Sequence, residues 1–294
     1  MIGEIAALST ALCWAIAARM FRLLGASFSP LSLNLWKGLV ALIILIPITT
    51  YVYPEVNLSQ SHIIWLLISG AIGIGLGDTF FFQSLNKIGD SQSILVVETL
   101  APVFTALLAM AWIAEWLTWQ QWFGIAVVIL AVDMVVKIQK RQQLEAFQLS
   151  AYSYAALAAL CQALGAVISR DILTQTHADP ANTSQVRLAG GLAIIVLLML
   201  IKRTRWLPKM DRPKPTLVLF AGATLIGTFA ALYLQMLAFT YTKAAIVQTL
   251  FATSVILSLL VAKVLGEKVN GKTALWSVIA LAGVAIMVGA EHIG

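Results

Sequence analysis

The chain has 294 residues, of which 60% are hydrophobic and only 11% charged, with a mean hydropathy of +0.91. Soluble domains carry about 25% charged residues, so this composition excludes a globule with a polar shell. The formal net charge is +6, but Lys and Arg gather in short loops between apolar blocks, which marks membrane topology beside anionic lipid and argues against nucleic-acid binding.

Ten apolar blocks follow one another at roughly 3–24, 31–53, 62–86, 90–113, 119–138, 150–170, 181–201, 215–241, 243–265 and 270–290. Blocks of about 20 residues match a hydrocarbon core of about 30 Å at 1.5 Å per helical residue. They do not alternate as barrel strands do, and a backbone in lipid must satisfy its own amides, so each block reads as a helix. Span one begins without the basic stretch of a secretory signal and is expected to stay in the mature fold. It carries Cys13 and Trp14 and ends near Arg19 and Arg22. Span two holds Asn34 and Lys37. Span three has glycines at 70, 73, 75 and 77, then Asp78 and Gln83. Span four contains Glu98 and Pro102 and ends at Glu115. Span five carries Asp133 near its end. Span six has Cys161 and Gln162, span seven Arg187, and span eight Tyr233 and Gln235. Span nine holds Gln248 and ends at Glu267. The two cysteines lie inside apolar blocks with no metal or disulfide spacing and read as small buried residues. Polar stretches at about 138–149 and 202–214 are too short to form domains.

The chain repeats itself. Gly70-Ala71 matches Gly222-Ala223, Gln83 matches Gln235, Ile94 matches Ile246, Leu107-Leu108 matches Leu259-Leu260, and Glu115 matches Glu267, each pair 152 residues apart (235 − 83). Further upstream the offset drifts: Ala11-Leu12-Cys13 is similar to Ala159-Leu160-Cys161, and Lys37 falls near Arg187. Residues 1–140 and 148–294 are therefore expected to form two five-helix halves of one all-α membrane protein. Five is odd, so the second half enters the bilayer from the opposite side. Such inverted repeats enclose a site near the midplane that rocking exposes to alternate faces.

Loop charge sets an expected orientation. Arg22, Lys87, Lys137, Lys140, Arg141, Lys202, Arg203, Arg205, Lys209, Arg212, Lys214, Lys268 and Lys272 fall on one face, against Arg170 and Lys243 on the other. The rule that positive loops stay inside puts both termini outside the cytoplasm.

The segment Thr99-Leu100-Ala101-Pro102-Val103-Phe104-Thr105-Ala106-Leu107-Leu108-Ala109, leading to Glu115 and then Gln121-Trp122-Phe123-Gly124, resembles the EamA-type signature of the drug/metabolite transporter superfamily. Gly3-Glu4-Ile5-Ala6-Ala7-Leu8 with Leu12-Cys13-Trp14-Ala15, Gly75-Leu76-Gly77-Asp78-Thr79 before Phe80-Phe81-Phe82, and Gly266-Glu267-Lys268-Val269 are similar to the same family. The resemblance implies a ten-helix, two-repeat carrier of the cell membrane, exporting amino acids or other small metabolites, with both termini in the cytoplasm. On that last point it opposes the loop charges.

A charge at the centre of a span costs about 2.5–3.5 kcal/mol, so such residues face the protein interior and mark function. Lys37 and Arg187 are either a basic lining for an anionic group or side chains that snorkel to the interface. Asn34 shares a helix face with Lys37. Glu98 and Asp78 have no charged counterpart in the second half. Either could carry a proton or hold a substrate ammonium, or pair internally with Lys37 or Arg187. Gln83 and Gln235 suit a central cavity or interhelical hydrogen bonds, and Gln162, Gln248 and Tyr233 are similar candidates. Trp14 either lines the cavity or fills the bundle. Glu115 and Glu267 read as turn residues that accept N–H bonds at the following helix N-terminus. Pro102 is placed to break span four, and the glycine run permits close helix contact or local irregularity in span three. No Walker motif, H-E-x-x-H or G-x-S-x-G occurs, so direct nucleotide use and intramembrane catalysis are disfavoured and no cofactor is expected. The partners expected are a small-molecule substrate and the lipid bilayer. The alternatives are an exchanger of phosphorylated or sugar-linked metabolites and, in another class, an intramembrane enzyme or a non-transporting scaffold.

Overall fold

The computed structural model describes residues 1–54, 58–140, 149–209, 211–264 and 271–291, and all regular structure among them is helical. The elements are α1 (Ile2–Leu24), α2 (Pro30–Tyr51), α3 (Gln60–Gly70), α4 (Asp78–Ile113), α5 (Trp119–Lys140), α6 (Leu149–Thr176), α7 (Pro180–Lys202), α8 (Pro213–Thr224), α9 (Ala231–Tyr241), α10 (Ala244–Ala252), α11 (Ser254–Val264) and α12 (Gly271–Glu291). Among the described residues, seven helical stretches are long and apolar enough to cross a bilayer. Three shorter apolar ones, Trp119–Met134, Ala244–Leu257 and Leu275–Ala290, accompany them. Large apolar side chains such as Ile43, Leu130, Val218 and Val278 stay exposed on the outside. That surface suits lipid rather than water, and the protein is a multi-pass membrane protein.

Local chemistry sets where helices begin. Ser29 precedes Pro30, and its hydroxyl accepts the Ser32 N–H (3.2 Å). Asp179 precedes Pro180, and its carboxylate accepts the Ala181 N–H (2.7 Å). A short acceptor followed by a proline that lacks the superfluous N–H is a strong helix start. The two starts are 150 residues apart and leave Lys37 and Arg187 each seven residues past its proline.

Two helices loosen in matching places. A π segment at Ala71–Gly77 joins α3 to α4, and another at Leu225–Ala230 joins α8 to α9; they begin 154 residues apart. The wider turn disturbs the usual backbone bonding. The Ile74 carbonyl receives the Asn34 amide (2.9 Å), and the Gly75 carbonyl receives the Thr79 hydroxyl (2.6 Å). The glycines supply closeness as well as looseness. A Cβ at Gly70 would sit 1.7 Å from the Arg187 carbonyl oxygen, and one at Gly190 would sit 2.1 Å from that of Leu67. The backbones of α3 and α7 therefore touch, which fixes the height of Arg187.

Helix α4 runs over 36 residues, about 54 Å if straight. Yet the Ser84 and Ser93 hydroxyls, nine residues apart, lie 2.7 Å from each other. A straight helix would separate them by about 13 Å along its axis, so the chain doubles back and α4 supplies two legs. Two sequence expectations differ from the structure. Pro102 lies within helical α4, and the break falls instead at Thr253, between α10 and α11, one residue from the position 152 beyond Pro102. Helix α6 runs on to Thr176, so Arg170 is helical and not a loop residue. Its guanidinium is held there by Glu115 and by the Phe239 and Thr240 carbonyls. Glu267 lies outside the described residues.

The halves interdigitate rather than stand side by side: α4 packs on α6, α5 on α12, and α1 on α9. The main core cluster joins Ala6, Ala7, Phe239, Val247, Leu250 and Phe251, toward the end where Met1 lies.

Candidate functional site

A cavity of about 150 Å³ lies between the halves. Its aromatic walls are Trp14, Phe21, Phe81 and Phe82. Its polar groups are Lys37, Asp78, Glu98, Gln162, Arg187, Thr228, Gln235 and Ser254. Position along the helices gives the depth. Phe21 and Phe82 approach the ends that carry the basic loops. Arg187, seven residues past Pro180, lies about 10 Å from the opposite end of its helix and belongs to the floor with Gln235.

Seven of the residues singled out in the sequence meet here: Trp14, Lys37, Asp78, Glu98, Gln162, Arg187 and Gln235. Lys37 does not reach for the interface. It is buried, and its Nζ lies 2.5 Å from Asp78 Oδ2 and 5.5 and 5.9 Å from the ring centroids of Phe82 and Phe21. The internal ion pair is thus the arrangement that Asp78 adopts.

Arg187 is 3% exposed. Its Nε donates to Ser69 Oγ (3.0 Å) and its Nη1 to the Met236 sulfur (3.3 Å). Ser69 Oγ is anchored in turn on the Gly165 carbonyl (2.8 Å) and lies 2.8 Å from Ser169 Oγ. Among the described residues no carboxylate lies within ion-pair distance of Arg187. Glu98 is 6% exposed, and its Oε2 has no hydrogen-bond partner among them. Its helix context is unusual too: Pro102, four residues on, lacks the N–H that would normally bond the Glu98 carbonyl. Such a carboxyl calls for a proton or a cationic group.

Other candidates do not line the cavity. Asn34 is spent on the π segment. Gln248 stands behind the wall and accepts the Gln162 amide (3.0 Å). Gln83 and Tyr233 are only partly buried and lie outside the lining, so the matched glutamine pair contributes Gln235 alone. Trp14 does both jobs, facing the cavity and packing on Phe251 (centroids 4.8 Å apart). Glu115 accepts an N–H at a helix N-terminus, as the sequence suggests, but the helix is α10 and not the following α5: Ala244 N–H reaches Glu115 Oε2 at 2.9 Å. The sequence reading passed over Phe21, Thr228 and Ser254. Ser254 was findable, because it stands 152 residues after Pro102.

These features define a class: a multi-pass helical membrane protein with a charged, aromatic-walled cavity between two intertwined halves, as in a transporter. The chain belongs to the EamA-like transporter family, whose model matches residues 1–137 and 149–289, and is a membrane transporter of the drug/metabolite type. Among solved structures, one described as "Crystal structure of protein" aligns over 99% of this chain and 98% of its own at 17% identity, with a TM-score of 0.78. That likeness establishes a shared fold. No curated protein matches.

Proposed function

We propose that this chain is a ten-span secondary carrier, built from two inverted five-helix repeats, that moves small zwitterionic metabolites such as amino acids out of the cell by alternating access. One observation carries the reading: among the described residues, the cavity holds a buried guanidinium with no carboxylate within ion-pair distance and a buried carboxyl whose Oε2 has no hydrogen-bond partner. A zwitterion supplies both missing groups at once, its carboxylate to Arg187 and its ammonium to Glu98. The aromatic walls offer space for an apolar side chain. The paired helix starts and paired π segments support an internal repeat, because each recurs at nearly the offset of the sequence matches.

Export is supported by placement. The cavity extends toward the ends with the basic loops, and those loops belong in the cytoplasm by the charge rule. A reporter at Gly294 that functions only in the cytoplasm should then be silent, and a bright one reverses the orientation. The rival exchange of phosphorylated metabolites needs surplus positive charge, whereas Asp78 already neutralises Lys37.

The deciding experiment screens the purified protein for ligand-induced thermal stabilisation. The panel holds α-amino acids, their amides, their N-acetyl derivatives and sugar phosphates. Saturation at about 100 times Kd adds about 2.7 kcal/mol to the folded state. Zwitterions should stabilise most and their singly charged derivatives less; hits should then exchange in proteoliposomes. Stabilisation confined to sugar phosphates, or none across the panel, sinks the reading.

A further inference from the structure

The face of the bundle that holds Met1 is closed by a contact outside the cavity. Glu115 lies in the connection between α4 and α5. Its Oε1 takes the Arg170 Nε (2.6 Å), and its Oε2 takes the Ala244 N–H at the start of α10. Arg170 Nη1 donates onward to the carbonyls of Phe239 (2.6 Å) and Thr240 (3.0 Å), which end α9. Lys243 Nζ bonds the Trp116 carbonyl (2.9 Å). Gly3 presses on the same turn so closely that a Cβ there would lie 2.2 Å from Thr242 Oγ1. The α9–α10 turn is therefore gripped by α1, by α6 and by the end of α4. Beneath it Phe239 meets Phe251 edge-on and Phe251 packs on Trp14 of the cavity wall (6.1 and 4.8 Å between successive centroids).

We propose that Arg170 and Glu115 form a latch that holds this face shut, and that releasing it is the step that opens the cavity there. The pair is suited to reversal. Its side chains are each 13% exposed, so the charges are sheltered enough to hold one geometry yet close enough to solvent to be hydrated when they part. Two small displacements, of Glu115 from α10 and of Arg170 from α9, would free the turn as a unit. Closure of this kind is a bistable contact whose loss shifts a population. The proposal rests on the carrier reading for its purpose, but its test needs no substrate.

The test measures the width of this face. In protein lacking Cys13 and Cys161, spin labels go on cysteines replacing Trp119 and Tyr241, both exposed and on opposite sides of the contact. Distances are read in lipid nanodiscs by pulsed electron resonance. E115Q and the conservative R170K should each raise the population of the longer distance about tenfold, the size of an ordinary coupling between two states. Distance distributions that superimpose on the parent's, in either variant that remains monodisperse, overturn the latch. A failed metabolite screen with widened distances would instead fault the carrier reading and leave the latch standing.

Discussion

The ammonium of Lys37 and the carboxylate of Asp78 meet at 2.5 Å inside the bundle, joining α2 to the start of α4 beside two phenylalanine rings. The pair is lopsided: the lysine side chain is 5% exposed and the aspartate 35%. Lysine thus depends on aspartate more than the reverse.

Removing Asp78 should strand a buried cation. D78N is expected to cost about 3–5 kcal/mol, while the double variant K37M/D78N, which removes both charges, should recover most of it. Unfolding in detergent followed by intrinsic Trp fluorescence checks this. Equal melting of single and double variants would show that a stranded Lys37 charge is not what costs stability.

Arg187 and Glu98 should fail in different ways. R187K keeps a charge but loses the planar fork, and ligand carboxylate recognition should weaken about tenfold or more. E98Q should weaken ligands with a free ammonium by a similar factor and spare those with an acetylated nitrogen. Calorimetric titration with the best zwitterion, its amide and its N-acetyl form separates the two. Identical losses across the three ligands would mean that neither residue contacts a charged end.

Ser69 orients Arg187 without facing the cavity. Deleting its hydroxyl in S69A removes the bond to Arg187, worth about 0.5–1.5 kcal/mol, along with its contacts to Gly165 and Ser169. Affinity for the same zwitterion should fall roughly two- to tenfold, and no further when S69A is added to R187K. A full additional loss in the double variant would place Ser69 on an independent path.

Glycine positions should divide sharply. G70A and G190A drive a methyl into a neighbouring backbone, and overpacking costs about 1–3 kcal/mol even against side chains. Gly289 has nothing within 4 Å of a Cβ, so G289A should hold or raise stability by up to about 1 kcal/mol through helix propensity. Melting temperatures of the three purified variants report the contrast. A loss at Gly289 equal to that at Gly70 would contradict the packing described.

Much was legible in the chain because the governing forces act locally. Hydropathy over about 20 residues marks a span whatever its neighbours are, and Ser29-Pro30 and Asp179-Pro180 start helices by their own chemistry. The glycine run at 70–77 allowed close helix contact or an irregular helix, and both occur there. The same local reading failed at Pro102. Its matched position in the other half shows why: span nine breaks at Thr253, where no proline occurs, so the break depends on packing and not on the residue type alone.

The sequence by itself determined the membrane class, the duplicated order of spans and a short set of polar residues that lipid forbids. Only the tertiary structure decided how those residues divide. It gave Asp78 to Lys37 and Glu115 to Arg170 and α10, and left Arg187 and Glu98 facing a shared space. Partner choice depends on which helices lie adjacent and at what height, and contacts such as Gly70 on the Arg187 backbone set that height from residues more than a hundred positions apart.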